Sequence, residues 1–233
     1  MLHTIDRRVY WNDFEVYTDS EYSLHGNRHD CLYKDLTETI FNLLCYASSR
    51  HRNVQFIRFE ITFEKEIYFF HHMIYFNLFL SDFVKTCSRL EAGKVTPYYF
   101  WCREKSKEDK NAHFHFFLLL CDKTQKEYKF LLKKAQKILD KKLLRANTEG
   151  YINFGAKDRH GNYQENGITI KQDGILNERE FRRCFQWATY LAKKRTKESR
   201  LPRVRRYNKS KLPLEAFDTN WLEWFYGQFP RRL

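Results

Sequence analysis

The strongest constraint on the fold of this chain comes from two apolar segments that are separated by a short charged run. The segments are residues 96–103 (TPYYFWCR) and 113–121 (HFHFFLLLC), and the run between them contains KSKEDKNA. Stretches rich in aromatic and aliphatic residues and bounded by polar ones are typical of β-strands. Two such strands joined by a polar loop form a hairpin. The sequence therefore predicts a β-hairpin across residues 96–121.

Helix-like and strand-like segments alternate on both sides of this hairpin. A strand is predicted over Val54–Phe63 (VQFIRFEITF), because polar residues are interleaved there with β-branched and aromatic ones. The other predicted elements are a helix near 37–47, helices over 67–90, 126–144 and 177–194, and short strands over 151–154 and 167–171. The aromatic end of the chain, Trp221–Phe229, can fold back on this body. The order predicts an α+β fold in which helices cover a central antiparallel sheet, and ferredoxin-like topologies fit it.

The net charge of the chain indicates which kinds of partner it can bind. The 233 residues include 42 Lys or Arg and 29 Asp or Glu, which gives a formal net charge of +13 and a pI near 9.4. A surplus of this size favours a polyanionic partner, because basic side chains release counterions when they neutralise phosphates. Proteins that bind nucleic acids, ribosomes or membrane surfaces share this property, so charge alone does not choose among them.

Two further features bear on location and cofactors. The six cysteines lie far apart without a C-x-x-C pair, which argues against a zinc ribbon or a disulfide framework and favours reduced thiols. Acids and aromatics interrupt the N-terminus where a secretory signal needs an apolar core. The apolar stretch over residues 67–80 is too short to span a bilayer. We expect a soluble cytoplasmic protein with no membrane partner.

The sharpest chemical feature is a histidine pair at the start of the second hairpin strand. His113 and His115 are two residues apart, and side chains two apart on a strand point to the same face. Two imidazoles that share a small volume in this way can chelate a metal ion. The competing interpretation is that two strand-end histidines only cap an apolar run.

A carboxylate joins the pair if the hairpin forms. Glu104 directly follows the first strand, so pairing would set it beside the histidine end of the second strand. A carboxylate and two imidazoles without thiolates suit Mg²⁺ or Mn²⁺, with open positions for phosphate oxygens and water. Glu108 and Asp109 in the loop are rival ligands. Glu60 on the first predicted strand could also enter the site, with a salt bridge to Arg58 or to a surface lysine as its alternative.

A tyrosine followed by a lysine lies on the last predicted helix. Tyr190 and Lys193 are three residues apart, and residues at this spacing are neighbours on a helix. A nearby ammonium favours the ionised phenol and can neutralise a phosphate, which suits a tyrosine nucleophile. A packed tyrosine beside a lysine is the alternative, since the chain has 15 tyrosines and many lysines.

Together these motifs resemble those of the HUH endonucleases, the rolling-circle replication initiators and relaxases. The resemblance is carried by HFH, by the glutamate upstream of it and by the tyrosine with its lysine. The segments FWCRE, HFHFFLLL, GYINF and YLAKKRTK further resemble the inovirus-type replication proteins that include the YagK/YfjJ prophage group. The match covers roughly residues 54–197. The first-strand motif of the wider superfamily is matched only loosely by FIRFEITF.

The resemblance implies a fold, a metal and a reaction. The sheet would carry the histidine pair centrally, and His113, His115 and Glu104 would hold Mg²⁺ or Mn²⁺. Tyr190 would be the nucleophile and Lys193 its companion lysine. The implied activity is nicking of single-stranded or hairpin DNA at a replication origin, which leaves a 5′-phosphotyrosine link and a free 3′-hydroxyl for rolling-circle replication. Host helicase and polymerase would be its partners.

A basic run follows the tyrosine motif and supplies the predicted DNA-binding residues. They are Lys194, Arg195, Lys197, Arg200, Arg203, Arg205 and Arg206. Such a run can follow a DNA backbone, and a disordered tail is its alternative. The predicted organisation is a helical extension over residues 1–50, the catalytic domain over 51–198 and a basic, aromatic tail over 199–233.

Three other functions would use the same residues differently. A DNA-binding regulator could keep the architecture without nicking, and the intact motifs argue against it. A single-strand transposase of the same superfamily would apply the same chemistry to the ends of mobile elements. A non-covalent metal nuclease or RNA-processing enzyme would leave Tyr190 as a spectator.

Overall fold

A computed structural model of the chain describes residues 2–5, 8–16, 32–63, 69–90, 97–104, 113–121, 128–144, 148–153, 167–192 and 207–229. In chain order its strands are β1 (Leu2–Ile5), β2 (Arg8–Trp11), β3 (Phe14–Glu15), β4 (Asn53–Phe63), β5 (Tyr98–Glu104), β6 (His113–Cys121), β7 (Gly150–Asn153), β8 (Ile168–Lys171) and β9 (Tyr207–Lys209). Its α-helices are α1 (Lys34–Arg50), α2 (Phe69–Leu90), α3 (Tyr128–Leu143), α4 (Glu178–Thr189), α5 (Glu215–Asp218) and α6 (Trp221–Gly227).

The chain forms two compact units, each built from segments that are distant in sequence. The sheet unit comprises the described residues within 55–167 and 196–209, and the helical unit comprises those within 1–54, 168–195 and 210–233. The predicted organisation into segments 1–50, 51–198 and 199–233 stays a prediction. No helix in the described ranges is long and apolar enough to cross a membrane.

The sheet unit confirms the predicted α+β architecture with an antiparallel sheet. Its strands lie in the order β7-β4-β6-β5-β9, and the pairs β4–β7, β5–β6 and β5–β9 are antiparallel. From β4 to β7 the described elements follow one another as β-α-β-β-α-β. The predicted hairpin is confirmed, with Tyr98 opposite Leu119 at one end and Glu104 opposite His113 at the other.

The helices α2 and α3 cover one face of this sheet. Phe114, Phe116 and Leu118 of β6 face them, because alternate residues of a strand point to the same side. The rings of Phe76 on α2 and Phe114 stack with centroids 4.1 Å apart. Each fully buried aromatic side chain of this kind contributes roughly 1.5–3 kcal/mol through removal from water. The histidines at 113 and 115 therefore point to the opposite side, which we call the histidine face.

Close packing fixes the edge of the sheet against α3. A Cβ atom at Gly150 on β7 would lie 2.8 Å from Leu143 Cδ1 and 3.0 Å from Leu139 Cδ2. Only glycine permits this approach without displacing both leucines. An ion pair between Lys142 and Asp82 also joins α3 to α2.

The helical unit is organised around Phe14, which is fully buried. Its ring lies 4.9 Å from that of Phe41 on α1 and 4.9 Å from that of Phe225 on α6. Phe185 on α4 contributes a third edge contact at 5.3 Å. The position of Phe225 confirms that the aromatic end of the chain folds back on the body. The antiparallel strands β1, β2 and β3 that precede α1 were not predicted.

Candidate metal centre and nucleophile

The register of the β5–β6 hairpin sets the candidate ligands on one face of the sheet. Glu104 is directly opposite His113, and Cys102 is directly opposite His115. Directly opposed residues of an antiparallel pair point to the same side. Glu104, Cys102 and both histidines therefore share the histidine face, at the end of the hairpin where residues 105–112 connect its strands.

The imidazole of His115 lies between two carboxylates. Its Nε2 atom is 3.1 Å from Glu104 Oε2, and its Nδ1 atom is 3.5 Å from Glu60 Oε2. His115 and Glu104 are almost completely buried, with 5% and 4% of their surfaces exposed. A carboxylate buried to this extent is stable when it is paired or hydrogen-bonded, and the contact with His115 serves Glu104 in this way.

Glu60 is itself held by a neighbouring strand. It is paired in register with Asn153 of β7, and the Asn153 Nδ2 atom donates a hydrogen bond of 2.9 Å to Glu60 Oε1. One carboxylate oxygen is thereby fixed on the amide and the other is directed at the histidine. The Cys102 thiol donates a weak hydrogen bond of 3.9 Å to Glu104 Oε1.

Burial favours the neutral form of the His115 imidazole, compared with a histidine in water. Desolvation lowers the pKa of His115, while the carboxylates of Glu104 and Glu60 oppose this shift and Arg58 reinforces it. The net direction is downward, because loss of hydration disfavours the charged ring more than the two acids favour it. A neutral ring is the form of histidine that binds metals.

The structure brings two of the three predicted ligands into contact and sets the third beside them. His113 is partly buried and lies opposite Glu104 in register. Among the residues described, no group of three or more His, Cys, Asp or Glu side chains is arranged to hold a metal ion. Glu104 and His115 form the nucleus of the candidate site, and His113 shares its face.

The donors that are present fit a small divalent cation. Two ligands bound about 2.1 Å from one octahedral ion, at right angles, lie roughly 3.0 Å apart. The 3.1 Å between Glu104 Oε2 and His115 Nε2 is a hydrogen-bond distance, and it is also compatible with this separation. A carboxylate with nitrogen donors and open positions suits Mg²⁺ or Mn²⁺ better than a structural zinc ion. The loop acids Glu108 and Asp109 lie outside the described residues.

Tyr190 stands at the end of a helix that is firmly anchored in the helical unit. The helix α4 ends at Thr189, and a single 3₁₀ turn follows over Tyr190–Ala192. A continuous α-helix was predicted over residues 177–194. The α-helix instead ends at Thr189 and is followed by a 3₁₀ turn up to Ala192, the last described residue of this segment. The Thr189 hydroxyl donates to the Gln186 carbonyl at 2.7 Å, a local bond that competes with regular helix geometry and favours a tightened last turn.

Capping and packing fix the direction of α4. The Asn177 side chain accepts a hydrogen bond from the Glu180 amide at 3.1 Å, which satisfies an orphan donor of the first turn. Near the other end, the Gln186 side-chain amide donates to Glu15 Oε1 at 3.0 Å. The Tyr33 amide donates to the Ala192 carbonyl at 2.9 Å and so holds the 3₁₀ turn against the start of α1. Tyr190 itself is partly exposed.

The remaining predicted site residues lie outside the described part of the chain. They are Lys193, Lys194, Arg195, Lys197, Arg200, Arg203, Arg205 and Arg206. Their assigned roles stay predictions.

The sequence leaves the role of Glu60 open, although strand alternation indicates the face of the sheet on which it lies. Phe59 and Ile61 face the helices, so Glu60 between them faces the histidines. What the sequence does not contain is the order of strands, which makes β4 the neighbour of β6. No protein-family model, no curated protein and no solved structure matches this chain.

Proposed function

We propose that this protein initiates rolling-circle replication by nicking single-stranded DNA at an origin, with Tyr190 as the nucleophile. The reaction would leave a 5′-phosphotyrosine link and a free 3′-hydroxyl. The observation that carries the proposal is the contact between Glu104 and His115 at 3.1 Å, with His113 in register beside Glu104. This set of side chains at the end of one hairpin is difficult to explain as simple capping, because two of its members are buried and charged or polar.

The architecture supports the same proposal at a coarser level. The β-α-β-β-α-β order with strand order β7-β4-β6-β5 corresponds to the ferredoxin-like arrangement. We infer that the sheet unit is the sheet of an HUH-type fold, with the histidine-bearing strand β6 in the interior of the sheet. Fold alone does not assign function, so the proposal depends on the residues at the hairpin end.

His113, His115 and Glu104 would hold Mg²⁺ or Mn²⁺. The bound ion would supply charge neutralisation to the scissile phosphate and orient it for in-line attack. His115 contributes a neutral nitrogen donor, since burial lowers its pKa. Glu104 contributes negative charge that attracts the cation to a buried position.

Tyr190 would perform the covalent step. Its phenolic oxygen forms a bond to phosphorus, the bond from phosphorus to the 3′ oxygen breaks, and the leaving oxygen takes up a proton to become the 3′-hydroxyl. The phenol loses its own proton, and Lys193 would stabilise the phenolate and the phosphate as a nearby cation. The covalent link retains the phosphodiester energy, so a 3′-hydroxyl can reseal the strand by the reverse attack.

The proposed chemistry is tested by incubating the protein with a labelled single-stranded oligonucleotide that carries the origin sequence, in the presence of Mn²⁺. We expect an adduct that survives SDS, and we expect EDTA to abolish it. Tyr190→Phe should abolish the adduct, while Tyr207→Phe, which removes the hydroxyl of an exposed tyrosine on β9, should leave it intact. Both variants retain the aromatic ring and its packing.

The ligand assignment is tested in the same assay with Glu104→Ala and His115→Ala. Each should lose at least 100-fold of the rate, because loss of a catalytic metal ion removes several kcal/mol of charge stabilisation. Glu108→Ala tests the rival acid between the two hairpin segments and should keep the wild-type rate, whereas a loss equal to that of Glu104→Ala would contradict the ligand assignment. Cleavage without an adduct would support a non-covalent nuclease, and binding without cleavage would support a regulator.

A further inference from the structure

His115 offers its two ring nitrogens to two different carboxylates from two different strands. Nε2 lies 3.1 Å from Oε2 of Glu104 on β5, an ordinary hydrogen-bond distance, and Nδ1 lies 3.5 Å from Oε2 of Glu60 on β4, which is longer than a formed hydrogen bond. The two nitrogens lie on different edges of the ring, so one carboxylate cannot replace the other. The two acids are therefore placed for different tasks.

A neutral imidazole carries one ring proton and one free lone pair. When one nitrogen binds a metal ion, the proton must reside on the other, and a hydrogen-bond acceptor there fixes the tautomer and the ring orientation. In metal centres the acceptor is commonly a carboxylate or a backbone carbonyl. Glu60 supplies a carboxylate oxygen at the required edge of the His115 ring.

We propose that Glu60 is a positioning residue, which accepts the Nδ1 proton of His115 and thereby directs Nε2 toward the cation held with Glu104. This inference rests on the metal centre of the proposed function. Glu60 acts through His115 and is assigned no contact with the DNA or the ion.

The surroundings of Glu60 fit a fixed acceptor better than a fourth ligand. The Asn153 amide donates to Oε1 at 2.9 Å, which leaves Oε2 for His115. The Glu60 side chain retains 26% of its exposed surface, whereas that of Glu104 retains 5%. A partly hydrated carboxylate requires less compensation than a buried one, which suits an acceptor at the edge of the centre.

The experiment measures binding of Mn²⁺ to the full-length protein by calorimetry, without DNA. We expect Glu60→Ala to lower the affinity 10- to 100-fold, as loss of an outer carboxylate partner does in known metal centres. Glu60→Gln keeps an oxygen that can accept the Nδ1 proton and should lose less. Glu149→Ala removes an exposed acid near the start of β7 and should bind as the wild type does.

A second measurement separates positioning from a general effect on the fold. In the Mg²⁺-saturated wild type, NMR of the ring should show a downfield Nδ1–H signal of His115 that is hydrogen-bonded to a carboxylate, and Glu60→Ala should shift this signal upfield while circular dichroism stays unchanged. If Glu60→Ala disturbs the fold, calorimetry and NMR of Glu60→Gln test the positioning role instead.

The possible failures are distinguishable. If Glu104→Ala loses Mn²⁺ binding while both Glu60 variants bind as the wild type does, the positioning role is overturned and the metal centre stands. If the wild-type protein binds no Mn²⁺, the metal centre and the positioning role are overturned together.

Discussion

Individual side chains in this protein are placed in unusual electrostatic surroundings in both units. In the sheet unit, His115 is held between two carboxylates. In the helical unit, the Tyr226 hydroxyl donates to Asp13 Oδ2 at 2.8 Å. Each case joins a polar group to an aromatic or apolar core, so the protonation state of a single residue bears on the stability of its unit.

The Tyr226 contact predicts a specific loss of stability at high pH. Burial, together with the hydrogen bond and the charge of Asp13, raises the pKa of Tyr226 from 10.0 to about 12. The unfolded chain loses this proton first, so the stabilisation is complete below pH 10 and is lost as pH rises toward 12. In urea denaturation between pH 9.5 and pH 12, the wild type should lose more stability than Tyr226→Phe. Parallel losses in the two proteins would contradict this assignment.

The elements of the sheet unit are held in place chiefly by the aromatic layer between the sheet and its two helices. Phe114 stacks on Phe76 at 4.1 Å and lies 6.0 Å from Trp101. This layer lies on the side of β6 opposite to His115. Packing on one face of β6 therefore determines the orientation of the ligands on the other.

Truncation of this layer should destabilise the sheet unit strongly. Phe114→Ala removes a fully buried ring and should cost about 3–5 kcal/mol in the free energy of unfolding, because it leaves a cavity that neighbouring rings cannot fill. The matched control is Phe130→Ala on α3, since the Phe130 side chain is 46% exposed and its loss should cost less than about 1 kcal/mol. Urea midpoints compare the two, and equal shifts would refute a dominant role for the aromatic layer.

Sequence patterns predicted the long elements well, because their hydrophobic periods are set by burial on one face. The bounds of β5 and β6 were predicted to within two residues. The antiparallel pairing of these two strands was also predicted. Of the short strands, β7 and β8 were predicted over 151–154 and 167–171, whereas β1–β3 and β9 were not, since strands of two to four residues are stabilised mainly by their partners.

The candidate site shows the same difference between contacts within adjacent segments, which the sequence reveals, and contacts between distant segments, which it does not. The closeness of Glu104 to the histidines follows from one hairpin and was predicted from adjacent segments. The contact of Glu60 with His115 requires two strands from distant parts of the sequence to be neighbours, which spacing along the chain does not reveal. The 3₁₀ turn at Tyr190 depends on local hydrogen bonds that helical periodicity does not distinguish.

For the whole molecule, the dominant property is its net charge of +13. The basic run after Tyr190 contributes much of this surplus in the sequence. Binding of a single strand by such a chain should weaken linearly in a plot of log affinity against log salt, with a slope of about −0.7 for each phosphate neutralised.

Removal of two charges from the basic run should therefore reduce the salt dependence by a defined amount. The double variant Arg203→Gln and Arg205→Gln should lower the magnitude of the slope by roughly 1.4, because two phosphates are no longer neutralised. The control is Lys133→Gln and Lys137→Gln, which changes the net charge equally at two exposed positions on α3. Fluorescence anisotropy with a labelled oligonucleotide measures both, and identical slopes would exclude the basic run from the DNA contact.

The central claim is that Tyr190 becomes covalently joined to DNA, and identification of the modified residue tests it most directly. The protein is reacted with an origin oligonucleotide and Mn²⁺, digested with nuclease and protease, and analysed by mass spectrometry. We expect a single peptide containing Tyr190 that carries a nucleotide through its 5′-phosphate. A nucleotide attached to any other residue, or cleaved DNA with no modified peptide, would contradict it.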